Sequence, residues 1–273
     1  MKNFTFKNNV VIITGASNGI GRELAYQLAA QGAFLVLAAR DIPRLTATAD
    51  HCRQLGAKAL IVPTDITHAE ECQILIQKTI QEYGRLDTLI NNAGNSIQAN
   101  LEEYTDPSAL EQMVQVNYLG SAYCSFYALP YIKQSQGRFV AVSSLAGLNG
   151  LPGLSGYVAS KHAMTGFFES LRLEVKQYGV SVTIVYPGSV SSHLASSPTE
   201  APGAATSSIP KGMMPVETCA KLTLLAAAQR RKELIMTPGQ PIRWIKLIAP
   251  GLLEKIVLDG IEKDRAKRKE YPE

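Results

Sequence analysis

The chain has 273 residues, 46% hydrophobic and 18% charged, which is the balance of a soluble globular protein with room for a large core. Its four cysteines are scattered without a C-x-x-C pair, which argues against a disulfide framework or a metal site and fits a reducing, cytoplasmic setting. The net charge of +4 lies beyond residue 228, where 11 basic face 7 acidic residues, while the first 228 residues carry 16 of each; no nucleic-acid partner is expected of such a neutral body. The segment Met1–Lys7 is too polar for a signal peptide, and no apolar run approaches the roughly 18 residues of a membrane span.

Val10–Ile13 is a short β-branched run, expected as a buried parallel strand. Thr14-Gly15-Ala16-Ser17-Asn18-Gly19-Ile20-Gly21 follows and leads into a helical pattern through Leu24, Leu28 and Ala29. A glycine-rich turn between strand and helix lets backbone amides approach a pyrophosphate at the positive helix end. The spacing is G-x-x-x-G-x-G rather than G-x-G-x-x-G, and glycines also serve plain turns, so the strand-to-helix context carries this reading. The second strand, Phe34–Ala39, ends at Arg40. An acidic residue there would suit the ribose hydroxyl of NAD, whereas an arginine suits the 2′-phosphate of NADP. Asp41 is better placed to start the next helix, near Pro43–Leu55. After strand Leu60–Pro63 come Asp65 and Ile66; Asp65 either accepts from an adenine amine or caps the helix beginning near Ala69. The fourth strand, Leu86–Ile90, runs into Asn91-Asn92-Ala93-Gly94, small residues that let backbone pass close to a ligand, with the asparagines tying the strand end to its neighbours and Asn91 mainly structural, cofactor contact second.

A helical region spans about Pro107 to Lys133 and contains Asn117, which would need a polar partner if buried. The fifth strand ends in Ser143-Ser144, and the loop Leu145–Leu154 carries four leucines and no charge. Gly156-Tyr157-Val158-Ala159-Ser160-Lys161 opens a helix running to about Tyr178 and puts Tyr157 and Lys161 on one face. A phenol, an ammonium and the Ser144 hydroxyl brought together could protonate a carbonyl oxygen. Strand Ser181–Tyr186 closes at Pro187-Gly188, residues 189–215 read as a long irregular loop, and a helix from Val216 to about Arg230 precedes a last strand, Glu233–Met236. This alternation predicts an α/β fold, a Rossmann-type doubly wound parallel sheet. One catalytic domain, 1–239, is expected, with a basic amphipathic C-terminal extension at 240–273.

These motifs together resemble the short-chain dehydrogenase/reductase family, over roughly Asn8 to Met236. The resemblance implies about seven strands and hydride transfer between NADP(H) and a ketone or secondary alcohol. It implies Tyr157 as general acid, Lys161 as its partner and ligand of the nicotinamide ribose, Ser144 on the carbonyl oxygen and Asn117 holding a water in the proton path. It assigns Gly15, Ser17, Asn18, Gly19, Ile20 and Gly21 to the diphosphate. Arg40, Asp65 and Ile66 fall to the adenosine side, with Asn91, Ala93 and Gly94 beside them. Pro187, Gly188, Val190 and Ser192 fall to the nicotinamide, Ser192 standing where the family often has threonine. A homo-oligomer, dimer or tetramer, is implied through the Pro107–Lys133 and Tyr157 helices.

An ammonium within about 4–6 Å is expected to draw the tyrosine down from its ordinary value of about 10 by one to three units. Leu145, Leu148, Leu151 and Leu154, with His193, Leu194, Met213 and Met214, suit an apolar ketone, although core packing explains the leucines equally well. In the extension, Leu252, Leu253, Ile256 and Val257 recur at helical spacing near the only tryptophan, Trp244. That segment either closes over the pocket, covers a second subunit or lies on a membrane surface, as in lipid- and steroid-directed reductases, a weaker resemblance. Two rival functions stand beside the ketone reductase. A 3-oxoacyl-thioester reductase should carry basic residues at the pocket mouth, with Arg172 and Lys211 as candidates; an NADPH sensor should have no need of a proton donor.

Overall fold

Short β-branched runs alternating with amphipathic stretches build a doubly wound fold in the computed structural model, which describes residues 6–191, 213–236, 242–255 and 258–259. The strands are β1 (Val10–Thr14), β2 (Phe34–Ala39), β3 (Ala59–Pro63), β4 (Thr88–Asn91), β5 (Arg138–Val142) and β6 (Ser181–Pro187). Two residues each form β7 (Val190–Ser191) and β8 (Met214–Pro215), and β9 (Glu233–Met236) completes the main sheet. Seven strands lie parallel in the order β3-β2-β1-β4-β5-β6-β9. The order reverses between β1 and β4, so a crevice opens beyond the carboxyl ends of those two strands.

The central strands β1, β2, β4, β5 and β6 are buried on both faces because helices cover both. On one side α1 (Gly19–Ala29), α2 (Ile42–Gln54) and α7 (Val216–Ala228) pack on Val11, Ile13, Leu35 and Leu37. On the other, α3 (Ala69–Tyr83), α5 (Gly120–Gln134) and α6 (Ser155–Val175) cover Val10, Ile12, Val36 and Ala38. The period-two alternation therefore sorts residues between two apolar layers rather than between core and water, which is why the strands read as unbroken apolar runs.

Three details depart from the expected elements. β4 begins at Thr88, not Leu86; Asp87 just before it bonds through its backbone to Val10 and Arg138, and its carboxylate accepts from the Val10 amide (2.8 Å) and pairs with Arg85 (2.6 Å). The region expected as one helix is α4 (Ser108–Val114), a π-helical turn at Gln115–Leu119, and α5. Within the expected irregular loop, β7 pairs with β8 through Val190 with Met214 and Ser191 with Pro215. A short helix, α8 (Ile242–Ile248), and a helical turn at 250–255 follow β9.

Candidate active site

A groove of about 720 Å³ lies at the carboxyl ends of β1, β2 and β4, where the strand order reverses. Its floor is shaped by Gly15, whose φ is +66° and whose missing Cβ would come within 2.8 Å of the Ala93 Cα. Thr14 ties the same point together: its hydroxyl accepts from the Asn92 and Ala93 amides (3.0 and 3.1 Å). Asn18 caps α1, its side chain accepting from the Gly19 amide at 2.6 Å. A side-chain-free turn ending at a helix N-terminus leaves partial positive charge and open backbone for a pyrophosphate, and the groove's lining includes Gly15, Ser17, Asn18, Gly19 and Ile20. Gly21 has a different job: a Cβ there would stand 2.2 Å from the Gly15 carbonyl oxygen, so it lets α1 press on the turn.

At the far end the groove is charged. Arg40 stands 3.5 Å from Asp65 with two-thirds of its side chain exposed, and Asp41, which caps α2, pairs with Arg44 at 3.3 Å. Burial alone would raise the Asp65 carboxyl, but hydrogen bonds from the Thr67 amide and hydroxyl, aided by Arg40, hold it below the usual carboxylate range. That turn, rather than capping of α3, occupies Asp65, since α3 has no side-chain cap. Ile66, Ala93, Gly94 and Val190 also reach the groove. Asn91 does not: its side chain is buried and donates to Ser125, and it is Asn92, donating to the Thr14 and Gly15 carbonyls, that lines the cavity. Pro187 ends β6 and Gly188 follows it; neither is among the groove's lining. Ser192, His193, Leu194 and Lys211 lie outside the described residues.

Asn117 and Lys161 meet beside Gly94, and Tyr157, hydrogen-bonded to Ser144, has its ring against Lys161. The missing Cβ of Gly94 would sit 2.9 Å from Asn117 Oδ1 and 3.4 Å from Lys161 Nζ, which places both at the groove wall. Lys161 is buried, its Nζ donating to the Val142 carbonyl at 3.0 Å and lying 5.8 Å from the Tyr157 ring centre. Burial pulls its ammonium down to about 8. The same cause acts oppositely on the phenol: burial pushes Tyr157 above its ordinary value, and the hydrogen bond with the Ser144 hydroxyl offsets this only in part. The lowering expected from Lys161 is not seen: burial sets the direction of the Tyr157 shift, and the opposing cause is the Ser144 hydrogen bond. Ser144 starts a 3-10 turn, Leu145–Gly147, and also accepts from the Ala146 amide at 3.2 Å.

Asn117 is fully buried and sits in the π-helical turn. Its Oδ1 accepts from the Asn95 amide, and its Nδ2 donates to the Asn95 carbonyl and to Ser160 Oγ, each at 2.9 Å. Ser160 in turn donates to the Tyr157 carbonyl at 2.8 Å. Ser160, Asn95 and Arg44 are not marked out by the sequence motifs, whereas Asn92 ties the strand end to Thr14 and Gly15 as expected of the asparagine pair. Only Arg44 carried a signal, a second cation one turn past Arg40.

A family profile described as short chain dehydrogenase matches residues 9–202. The 11-beta-hydroxysteroid dehydrogenase-like 4A protein of Arabidopsis thaliana is 44% identical over 180 residues, 66% of this chain and 60% of that protein. The 11-beta-hydroxysteroid dehydrogenase of Pinus massoniana is 41% identical over 189 residues, 69% of this chain and 53% of that protein. The match thus spans little more than half the length of these curated relatives. Among solved structures, a short chain dehydrogenase/reductase from Burkholderia phymatum in complex with NAD superposes with a TM-score of 0.76 at 28% identity, over 85% of this chain and 90% of that one. An alcohol dehydrogenase of Thermococcus sibiricus complexed with 5-hydroxy-NADP gives 0.75 at 26% identity, over 84% and 96%.

Proposed function

The chain belongs to the short-chain dehydrogenase family, and from that premise we propose that it transfers hydride between NADP(H) and the carbonyl of an apolar ketone or its secondary alcohol. The observation that carries this reading is Lys161 beside Gly94, at the wall of a groove shaped for a dinucleotide, with Tyr157 against it and hydrogen-bonded to Ser144. The nicotinamide, when bound, supplies or takes up the hydride. Tyr157, kept protonated by burial, gives its phenolic proton to the carbonyl oxygen, while the Ser144 hydroxyl donates to the same oxygen. Lys161 keeps N–H donors beyond its bond to Val142 and is placed to hold a ribose hydroxyl next to Gly94. Asn117 locks the Asn95 loop and, through Ser160, the first turn of the Tyr157 helix.

The preference for NADP(H) rests on Arg40, with Arg44 as a second cation at the adenosine end. A 3-oxoacyl-thioester substrate is less well supported. Arg172 lies 15 residues beyond Tyr157 on α6, roughly 22 Å along the helix, where it donates to the Lys232 carbonyl below the sheet. Phe126 on α5 and Leu173 on α6, both more than two-thirds exposed, favour a homo-oligomer through those helices. Leu247, Ile248 and Leu252 face outward from the C-terminal helices and favour peripheral membrane contact, to be tested by liposome flotation with and without residues 240–273. No helix of the described residues is long and apolar enough to cross a membrane.

Following NADPH absorbance against ketones, ketosteroids and 3-oxoacyl thioesters tests the function. Oxidation with apolar ketones that disappears in Tyr157→Phe is the expected result. No oxidation with any substrate would favour the sensor instead.

A further inference from the structure

The amino ends of the strands, at the opposite end of the sheet from the cofactor groove, hold polar groups that the reductase chemistry does not use. Thr88, Arg138 and Ser181 are the first residues of β4, β5 and β6 and stand directly beside one another in the parallel register. Residues paired across parallel strands point to the same face, so the three side chains form one row. Ile90, Val140 and Val185 share their phase and place that row on the face covered by α1 and α7. Each member of the row keeps an enclosed polar atom with no hydrogen-bond partner among the described residues: Thr88 Oγ1, Arg138 Nε and Ser181 Oγ. Thr88 is fully buried. Asn9, two residues before the Val11 that pairs with Thr88, leaves a fourth such atom, Oδ1, and an amide presents N–H in its place when turned.

The row also carries a charge that lacks its own counter-ion. Arg138 is half-buried, its guanidinium lying 4.8 Å from the centre of the Phe6 ring. Burial and the like charge of Arg230 pull it down to about 10. The carboxylate that acts on it in the other direction, Asp87, is already engaged, accepting three bonds from the Arg85 guanidinium and one from the Val10 amide. Arg230 is held in place by the Gly179 and Gln136 carbonyls, at 2.6 and 2.7 Å. Enclosing a cation is costly unless an opposite charge and hydrogen bonds meet it. We propose that Thr88, Arg138 and Ser181 hold one small inorganic anion, of chloride size, at the amino ends of β4, β5 and β6. The guanidinium Nε and both hydroxyls are donors, which is the set a halide requires. A buried water would satisfy the hydroxyls and leave the charge unanswered. The anion joins three neighbouring strands at the end remote from the groove, so it acts on stability, and the site stands whether or not the chain is a reductase.

Chloride itself is the probe. Urea unfolding is followed at constant ionic strength while chloride replaces methanesulfonate, a bulkier and weakly coordinating anion. The unfolding constant of wild type should fall as chloride rises and then level off, by about tenfold once chloride reaches roughly ten times its dissociation constant. Thr88→Val keeps shape and charge but removes one hydroxyl, and Ser181→Ala removes the other. Each should raise the chloride dissociation constant by at least about threefold, the effect of one lost hydrogen bond. Arg138→Met should abolish the response; if that variant does not fold, the two hydroxyl variants decide. Crystals soaked in bromide should show anomalous scattering beside Arg138 Nε, between Thr88 and Ser181. A wild type that responds alike to chloride and methanesulfonate would reduce the effect to general screening and overturn the proposal. Hydroxyl variants with an undiminished chloride response, or bromide absent from the row, would overturn it as well.

Discussion

At the adenosine end of the groove the working groups are backbone amides and charges in contact with water; at the catalytic end they are side chains cut off from it. Arg40 keeps two-thirds of its side chain in solvent, while Lys161 and Asn117 are 3% and 0% exposed. Solvent screens the first set, so each of its contacts adjusts a preference and little else. In the second set desolvation dominates, moving the ammonium down and the phenol up from one cause. Binding specificity is thus placed where it perturbs the fold least. Proton transfer is placed where the fold must hold charged groups that water would otherwise stabilise.

The largest effect should come from the catalytic end. Tyr157→Phe should cut turnover by about a hundredfold to ten-thousandfold, the span of a lost general acid, and leave the NADPH dissociation constant nearly unchanged. Substantial residual turnover would erase the contrast between the two ends. Next comes the cost of burying Lys161. Because its pKa is about 8 in the folded protein against an ordinary 10.5, the ammonium penalty is fully present below pH 8 and fades as pH rises towards 10.5. Lys161→Met should therefore abolish activity yet be more stable than wild type at pH 7, by up to roughly 3 kcal/mol less the cost of the orphaned Val142 carbonyl. Urea titrations at several pH values should show that advantage shrinking between pH 8 and 10.5; a difference independent of pH would count against desolvation as the governing term.

Gly21→Val tests the seam between the two ends. Its Cβ would strike the Gly15 carbonyl, so a stability loss of about 1–3 kcal/mol is expected in denaturant unfolding, together with weaker cofactor binding. The smallest effect belongs to the screened charges. Arg40→Ala should weaken NADPH by about tenfold while leaving NADH alone, since only the 2′-phosphate meets that guanidinium. Equal losses for both cofactors would mean that Arg40 supports the loop through Asp65 instead.

The strand and helix order was readable because the central strands are apolar runs covered on both sides, and because glycine and proline punctuate the turns. What escaped notice depends on phase or on distance. Asn91 and Asn92 are adjacent at a strand end and point to opposite sides, so a one-residue ambiguity decides which of them reaches the groove. The π-helical turn at Gln115–Leu119 has no compositional mark. The direction of the Tyr157 shift could not be read from a tyrosine and lysine four apart, since burial depends on how the fold packs around that helix. The leucine-rich loop carried both meanings weighed for it: Leu148 is core, whereas Leu151 faces a cavity between the loop and the C-terminal helices.

The π-helical turn also makes the middle of the molecule sensitive to length rather than to composition. α4 packs against α6 upstream of the turn, and α5 packs against α3 downstream of it. One residue of helix is about 100° of rotation. Removing a single residue between 114 and 120 would restore regular winding and swing one contact face away from its partner, taking Asn117 off Asn95 and Ser160 with it. The long helix behaves as a two-part key cut out of phase, in which the offset is itself the information.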